Sequence, residues 1–145
     1  MPIEKPFLPM IRELVRTYQA FEMHSARHLR TLGLTPSQFD IIATLGNTEG
    51  MSFKRLGEKT LITKGTLTGV VDRLEGKGLV RRISSPDDAR SLIVQLTPQG
   101  DALFDSVFPA HLSYVERLFS GFRPADFDRI ELALRDLRTA LTTTD

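Results

Sequence analysis

The apolar residues keep helical spacing up to Lys77, switch to alternation after Gly78, and return to helical spacing at Thr97-Pro98. Few folds accommodate that sequence of periods. Leu79-Val80-Arg81-Arg82-Ile83 reads as one strand and Leu92-Ile93-Val94-Gln95-Leu96 as another. Ser84 to Arg90, between them, is polar, turn-forming and charged, so the pair predicts a β-hairpin with an exposed loop. The helix before it, Lys64 to about Lys77, places Leu67, Val70, Val71 and Leu74 within about 100° on a helical wheel. Its opposite face carries Gly65, Gly69, Asp72 and Gly76, with Thr68 and Arg73 on the flanks. A glycine inside a helix costs roughly 1 kcal/mol relative to alanine. Close approach of the backbone to another large surface would account for several on one face. The alternative is a weak helix held in place by its tertiary contacts.

The other segments read as helices. Ile11, Leu14, Val15, Tyr18, Phe21, Ala26 and Leu29 stripe a long first helix over residues 6–32, stopped at Gly33. Thr35-Pro36-Ser37-Gln38 has the form of a capping box with proline at the first helical position, ahead of Phe39, Ile42, Ala43 and Leu45. Ser52 can cap a short helix carrying Phe53 and Leu56, followed by a turn at about Thr60 to Ile62, and Thr63 can cap the helix that follows. Beyond Pro98 one helix runs past a kink expected at Pro109 to Gly121. A last helix from about Pro124 carries Phe127, Ile130, Leu134, Leu137 and Leu141 at alternate spacings of three and four. The fold class expected is mainly α with a small β-hairpin wing: a winged helix-turn-helix core over 34–97 with flanking helices over 6–32 and 98–141, all in one domain of 1–145.

Composition narrows the function classes. Zero cysteines remove disulfides, thiolate metal sites and thiol sensing, and no apolar run is long enough for a membrane span. A cytoplasmic protein is the expectation. The net charge of +1 is unevenly spread: Lys54 to Arg90 holds nine basic and five acidic residues, a local +4 that leaves −3 for the remainder. A basic middle, with the net negative charge lying elsewhere in the chain, favours a polyanionic partner. A helix fits the major groove of duplex DNA and a hairpin tip can lie along the adjacent minor groove, where arginine suits the negative potential. Lys64, Thr66, Thr68 and Arg73 are the candidate groove readers on the helix, and Arg90 is the candidate on the loop.

In order and spacing, Leu34-Thr35-Pro36-Ser37-Gln38-Phe39, Ile62-Thr63-Lys64-Gly65-Thr66-Leu67-Thr68, Val71-Asp72-Arg73-Leu74-Glu75-Gly76-Lys77-Gly78-Leu79-Val80-Arg81-Arg82, Pro86-Asp87-Asp88-Ala89-Arg90 and Leu96-Thr97-Pro98-Gln99-Gly100 resemble the MarR family of bacterial regulators. The resemblance implies a homodimeric repressor on a palindromic operator, with double-stranded DNA as partner and Thr63, Lys64, Gly65, Thr66, Thr68 and Arg73 at the major groove. It implies that Asp88 braces the wing loop while Arg90 enters the minor groove. Ala89 departs from the pattern, since relatives often carry a basic residue there. A small-molecule effector, often an aromatic or phenolic acid in the family, is implied between the dimer helices and the core. Tyr18, Phe21, His24 and Phe39 are candidates for it from location alone.

Dimerisation has independent support, because the outer helices carry more apolar surface than a winged helix can cover. His24 and His28, four apart with Glu22 nearby and His111 elsewhere, could bind a divalent metal; surface histidines on a helix face are the commoner reading, and neither a metal nor a cofactor is expected. There is no Gly-rich phosphate loop or nucleophile elbow, so no enzyme is expected. Glu75 with Lys77 and Asp88 with Arg90 read as ion pairs. A winged-helix protein–protein adaptor without DNA affinity is the competing function, and salt-sensitive duplex binding separates the two.

Overall fold

The structure, a computed structural model, describes residues 5–60 and 62–143. The elements are α1 (Phe7–Thr31), α2 (Pro36–Leu45), β1 (Met51–Ser52), α3 (Phe53–Lys59), α4 (Lys64–Gly76), β2 (Val80–Ser84), β3 (Leu92–Leu96), α5 (Pro98–Glu116), a 3-10 turn (Arg117–Phe119) and α6 (Pro124–Thr142). The turn expected at Thr60 to Ile62 includes Leu61, which lies outside the described residues.

Local chemistry sets the helix starts. At α2, Thr35 Oγ1 accepts from the Gln38 N–H and Gln38 Oε1 accepts from the Thr35 N–H, both at 3.1 Å, the reciprocal capping box. At α3, Ser52 Oγ accepts from the Arg55 N–H at 3.2 Å. Thr63 stands at the N-cap of α4, but the side-chain cap expected of it is not formed. Its hydroxyl is instead 3.1 Å from the Thr66 hydroxyl, so the two share a hydrogen bond outside the helix. The end of α4 is equally local. Gly78, at φ +74°, lets the Leu79 N–H reach the Leu74 carbonyl and the Gly78 N–H reach that of Glu75, at 3.0 and 2.9 Å. That pair of bonds turns the helix straight into β2.

β2 and β3 form the expected antiparallel hairpin, with Arg82 opposite Val94. A third strand was not anticipated. Met51 and Ser52 pair with Val94 and Ile93, giving the order β1-β3-β2; two residues are too few to show any period. Ile41, Ile42, Leu45, Leu56, Val71 and Leu74 are at most 1% exposed and form the core between α2, α3 and α4, closed by Val94 from the sheet. Each such side chain contributes roughly 1.5–3 kcal/mol by leaving water.

The chain divides into two compact units, residues 1–114 and 115–145. In the second, the rings of Phe119, Phe122 and Phe127 meet at centroid distances of 5.4 to 5.9 Å, and Asp126 accepts from the Arg123 N–H at 2.8 Å to cap α6. That bond holds the Asp126 carboxyl below its usual range. No residue of α6 is buried, and Phe127, Ile130, Leu134 and Leu141 leave an open apolar stripe. Phe7, Leu8, Val15, Tyr18 and Phe21 are likewise exposed on α1. No helix among the described residues is long and apolar enough to cross a membrane.

Candidate nucleic-acid interface

α4 is anchored by one face and open on the other. Leu67, Val70, Val71 and Leu74 are buried, whereas Thr66, Thr68 and Arg73 are exposed; the Lys64 side chain lies outside what is described. Apart from the helix's own backbone and chain neighbours, a Cβ added at Gly65, Gly69 or Gly76 would meet no atom within 4 Å, so no tertiary contact among the described residues requires glycine at these positions. The helix has a firm seat, and on its outer face the three glycine positions are open while Asp72 among them pairs with Arg82.

The loop Ser85 to Ser91 is tied internally. The Ser85 N–H donates to the Ser91 carbonyl at 2.9 Å, and the Ser91 N–H to the Asp88 carbonyl at 3.0 Å. Asp88 Oδ1 accepts from the Arg90 N–H at 3.0 Å and Oδ2 from the Ser91 hydroxyl at 3.3 Å. The ion pair expected between Asp88 and Arg90 is therefore replaced by a side-chain to backbone bond. The carboxylate shapes the turn, and Arg90 is exposed at its end.

Glu75 also departs from expectation: it pairs with Arg82, not Lys77. Arg82 Nη1 donates to Glu75 Oε1 at 2.9 Å and Nη2 to Asp72 Oδ1, while the guanidinium carbon stands 5.4 Å from the centre of the Phe53 ring. The bond to Asp72 is the main reason that Arg82 holds its proton more tightly than a free arginine. Sequence reading missed this junction although its signal was present. Arg82 alternates with Val80, which is buried, and two carboxylates stand three apart on the preceding helix.

Among the effector candidates, Phe39 is the one drawn into a ring cluster. Its ring is edge-on to His111 at 4.7 Å and stacked on Phe108 at 6.3 Å. Tyr18 and Phe21 are exposed and His24 half-buried, with the Tyr18 hydroxyl donating to Glu22 at 3.4 Å; that carboxylate's charge raises the Tyr18 pKa. Helical spacing puts Tyr18, Phe21, Ser25 and His28 on one stripe of α1. His28 is not a solvated histidine: its Nδ1 is 2.9 Å from His111 Nδ1, and its ring stacks on Tyr114 at 4.3 Å. His111 is 4% exposed and shares a hydrogen bond with Ser25 Oγ at 3.1 Å. Among the described residues no group of three or more His, Asp or Glu side chains could hold a metal.

Burial, and then the nearby His28, push the His111 pKa below the usual histidine value of 6.5. The unfolded chain therefore binds this proton more readily than the folded one. Stability contributed by neutral His111 is complete above about pH 6.5 and declines as the pH falls from there towards the lowered folded pKa. Melting temperatures between pH 7.5 and 5.5 should show this decline, and His111→Gln should flatten it. An equal slope in the variant would assign the acid sensitivity elsewhere.

Residues 34–92 match the MarR family. The regulator MhqR of Bacillus subtilis is 33% identical over 107 residues, covering 74% of each chain. The chain belongs to the MarR family of transcriptional regulators. Two solved structures extend the likeness over nearly the whole length. AbsC, a MarR family regulator of Streptomyces coelicolor, is 26% identical over 97% of both chains with a TM-score of 0.84. BpsR of Bordetella bronchiseptica, whose DNA binding is regulated by 6-hydroxynicotinic acid, is 27% identical over 95% of this chain and 98% of its own, with a TM-score of 0.82. As a MarR family member the protein is a regulator, not an enzyme. The order Ser25, His111, His28 resembles a nucleophile relay, yet Ser25 sits inside α1, where backbone N–H groups are committed to helix bonds and cannot cradle an oxyanion.

Proposed function

We propose that this MarR family protein is a sequence-specific repressor that binds a palindromic operator as a homodimer and is released or modulated by a small-molecule effector of aromatic type. The observation that carries the reading is the open glycine positions on the outer face of α4, together with an internally braced, arginine-tipped loop. Gly65 admits the backbone to the major groove, Thr63, Lys64, Thr66, Thr68 and Arg73 contact bases or phosphates there, and Arg90 enters the minor groove. Residues 34–97 act as the DNA-binding part and residues 6–32 and 98–141 as the dimerisation helices of one functional domain. The uncovered stripes of α1 and α6 support association, since two copies related by a twofold axis would bury them and match a palindrome. The stripe of Tyr18 and Phe21, with His24 beside it and Phe39 across from it, supports an aromatic effector.

The test is equilibrium binding to duplexes that the protein selects from a randomised library, titrated over salt. Two chains per duplex are expected, with log affinity falling steeply and linearly against log salt. Gly69→Ala adds a discriminating arm. Its methyl group meets open space, so the fold should gain up to about 1 kcal/mol, while DNA affinity should fall if the backbone must approach the groove. Failure to select any duplex would favour the adaptor reading.

A further inference from the structure

We infer that Arg82 is a positioning residue that locks the groove-reading helix to the wing, so that both engage one duplex in fixed register. The inference rests on the DNA-binding reading above. Three elements converge on this one side chain. Arg82 lies on β2, two residues before the strand ends and the wing loop begins. Its two terminal nitrogens take separate carboxylates of α4, Glu75 at 2.9 Å and Asp72, and its guanidinium faces Phe53 at the start of α3. A planar fork held by two acceptors and a ring has little rotational freedom, whereas a lysine ammonium would act as a freely rotating point charge.

The arrangement is poorly suited to be merely a stability device. Side-chain exposure is 57% for Asp72 and 41% for Glu75, and ion pairs that open to solvent are worth little. Its position suggests a different purpose. Both carboxylates belong to the helix offered to a polyanion, where unpaired they would repel phosphate, and Arg82 compensates them. The same bonds fix the angle between α4 and the hairpin that carries Arg90. A wing free to swing would still bind, but without placing Arg90 in the groove adjacent to the one α4 occupies.

The experiment measures the effect of Arg90→Ala on affinity for the selected duplex at fixed salt, in the wild-type, Arg82→Lys and Arg82→Gln backgrounds, with thermal unfolding to confirm folding. In the wild-type background the loss should be about tenfold or more, the size of one groove contact. In the Arg82→Gln background it should shrink below about threefold, because the wing contribution is already lost and the two changes are not additive. Arg82→Lys separates fork from charge: it should behave like Arg82→Gln, whereas restoration of the full Arg90 effect would reduce the role to charge compensation and overturn the positioning claim. Arg82→Lys also retains the charge and stem should Arg82→Gln not fold. Additive losses would overturn the inference while leaving DNA binding intact. An Arg90→Ala change without effect in the wild-type background would overturn it too. Absence of any selected duplex would instead remove the DNA-binding reading beneath it.

Discussion

Gly100→Ala should destabilise the protein by about 1–3 kcal/mol, although alanine is the better helix former by roughly 1 kcal/mol. The sign follows from the first turn of α5, which lies directly on the backbone that leaves α4. A Cβ at Gly100 would collide with the Leu79 carbonyl oxygen and stand 3.1 Å from Leu96 Cδ2. Backbone cannot swing aside as a flexible side-chain end can, so the helix start itself would have to lift. That start is also hydrogen-bonded in place. Thr97 Oγ1 accepts from the Gly100 N–H at 3.1 Å and donates to the Gly78 carbonyl at 2.6 Å, and the Thr97 N–H donates to the Leu79 carbonyl at 3.0 Å. Lifting α5 strains the junction that orients β2 and β3. Chemical denaturation of Gly100→Ala beside Gly69→Ala is the measurement: one glycine is enclosed, the other open, and the two should move in opposite directions. Equal stabilisation of both would mean that the contact at Leu79 relaxes at no cost.

These two glycines mark the boundary between what the sequence made legible and what it did not. The periods at Leu67 to Leu74 and Leu79 to Leu96 were visible because repeating burial leaves a repeating pattern, and the capping box at Thr35 and Gln38 because its partners are three residues apart. Gly69 could be singled out, since a glycine in the middle of a helix is locally anomalous. Gly100 was recognisable only as part of a resemblance, because its reason is a backbone atom 21 residues earlier in the chain. Distance along the chain also hid the partners of Arg82, whose acceptors sit across a helix-to-strand turn, and of His28 and His111, which are 83 residues apart. His111 did leave a trace: it continues the stripe of Phe104 and Phe108 along α5, where a buried polar ring requires a partner. β1 left none. Its two residues exist as a strand because β3 presents an unpaired edge to them.

The wing gives the sharpest expected effect on function. Arg90→Ala should lower affinity for the selected duplex about tenfold or more, equivalent to at least roughly 1.4 kcal/mol, while unfolding stays within about 0.5 kcal/mol of wild type because the side chain is exposed. Asp88→Ala decides the mechanism by its sign. A carboxylate near phosphate is repelled, so electrostatics alone predicts that its removal strengthens binding. Asp88, however, spends Oδ1 on the Arg90 N–H and Oδ2 on the Ser91 hydroxyl, and its carbonyl accepts from the Ser91 N–H. Removing the carboxylate frees the backbone at the residue whose side chain is proposed to enter the groove, and the entropy of reordering it would then oppose binding. Weaker binding by Asp88→Ala is therefore expected, and the double change should cost less than the two single losses combined, since Asp88 acts through Arg90. A double-mutant cycle at fixed salt measures this, and tighter binding by Asp88→Ala would show that charge outweighs loop order.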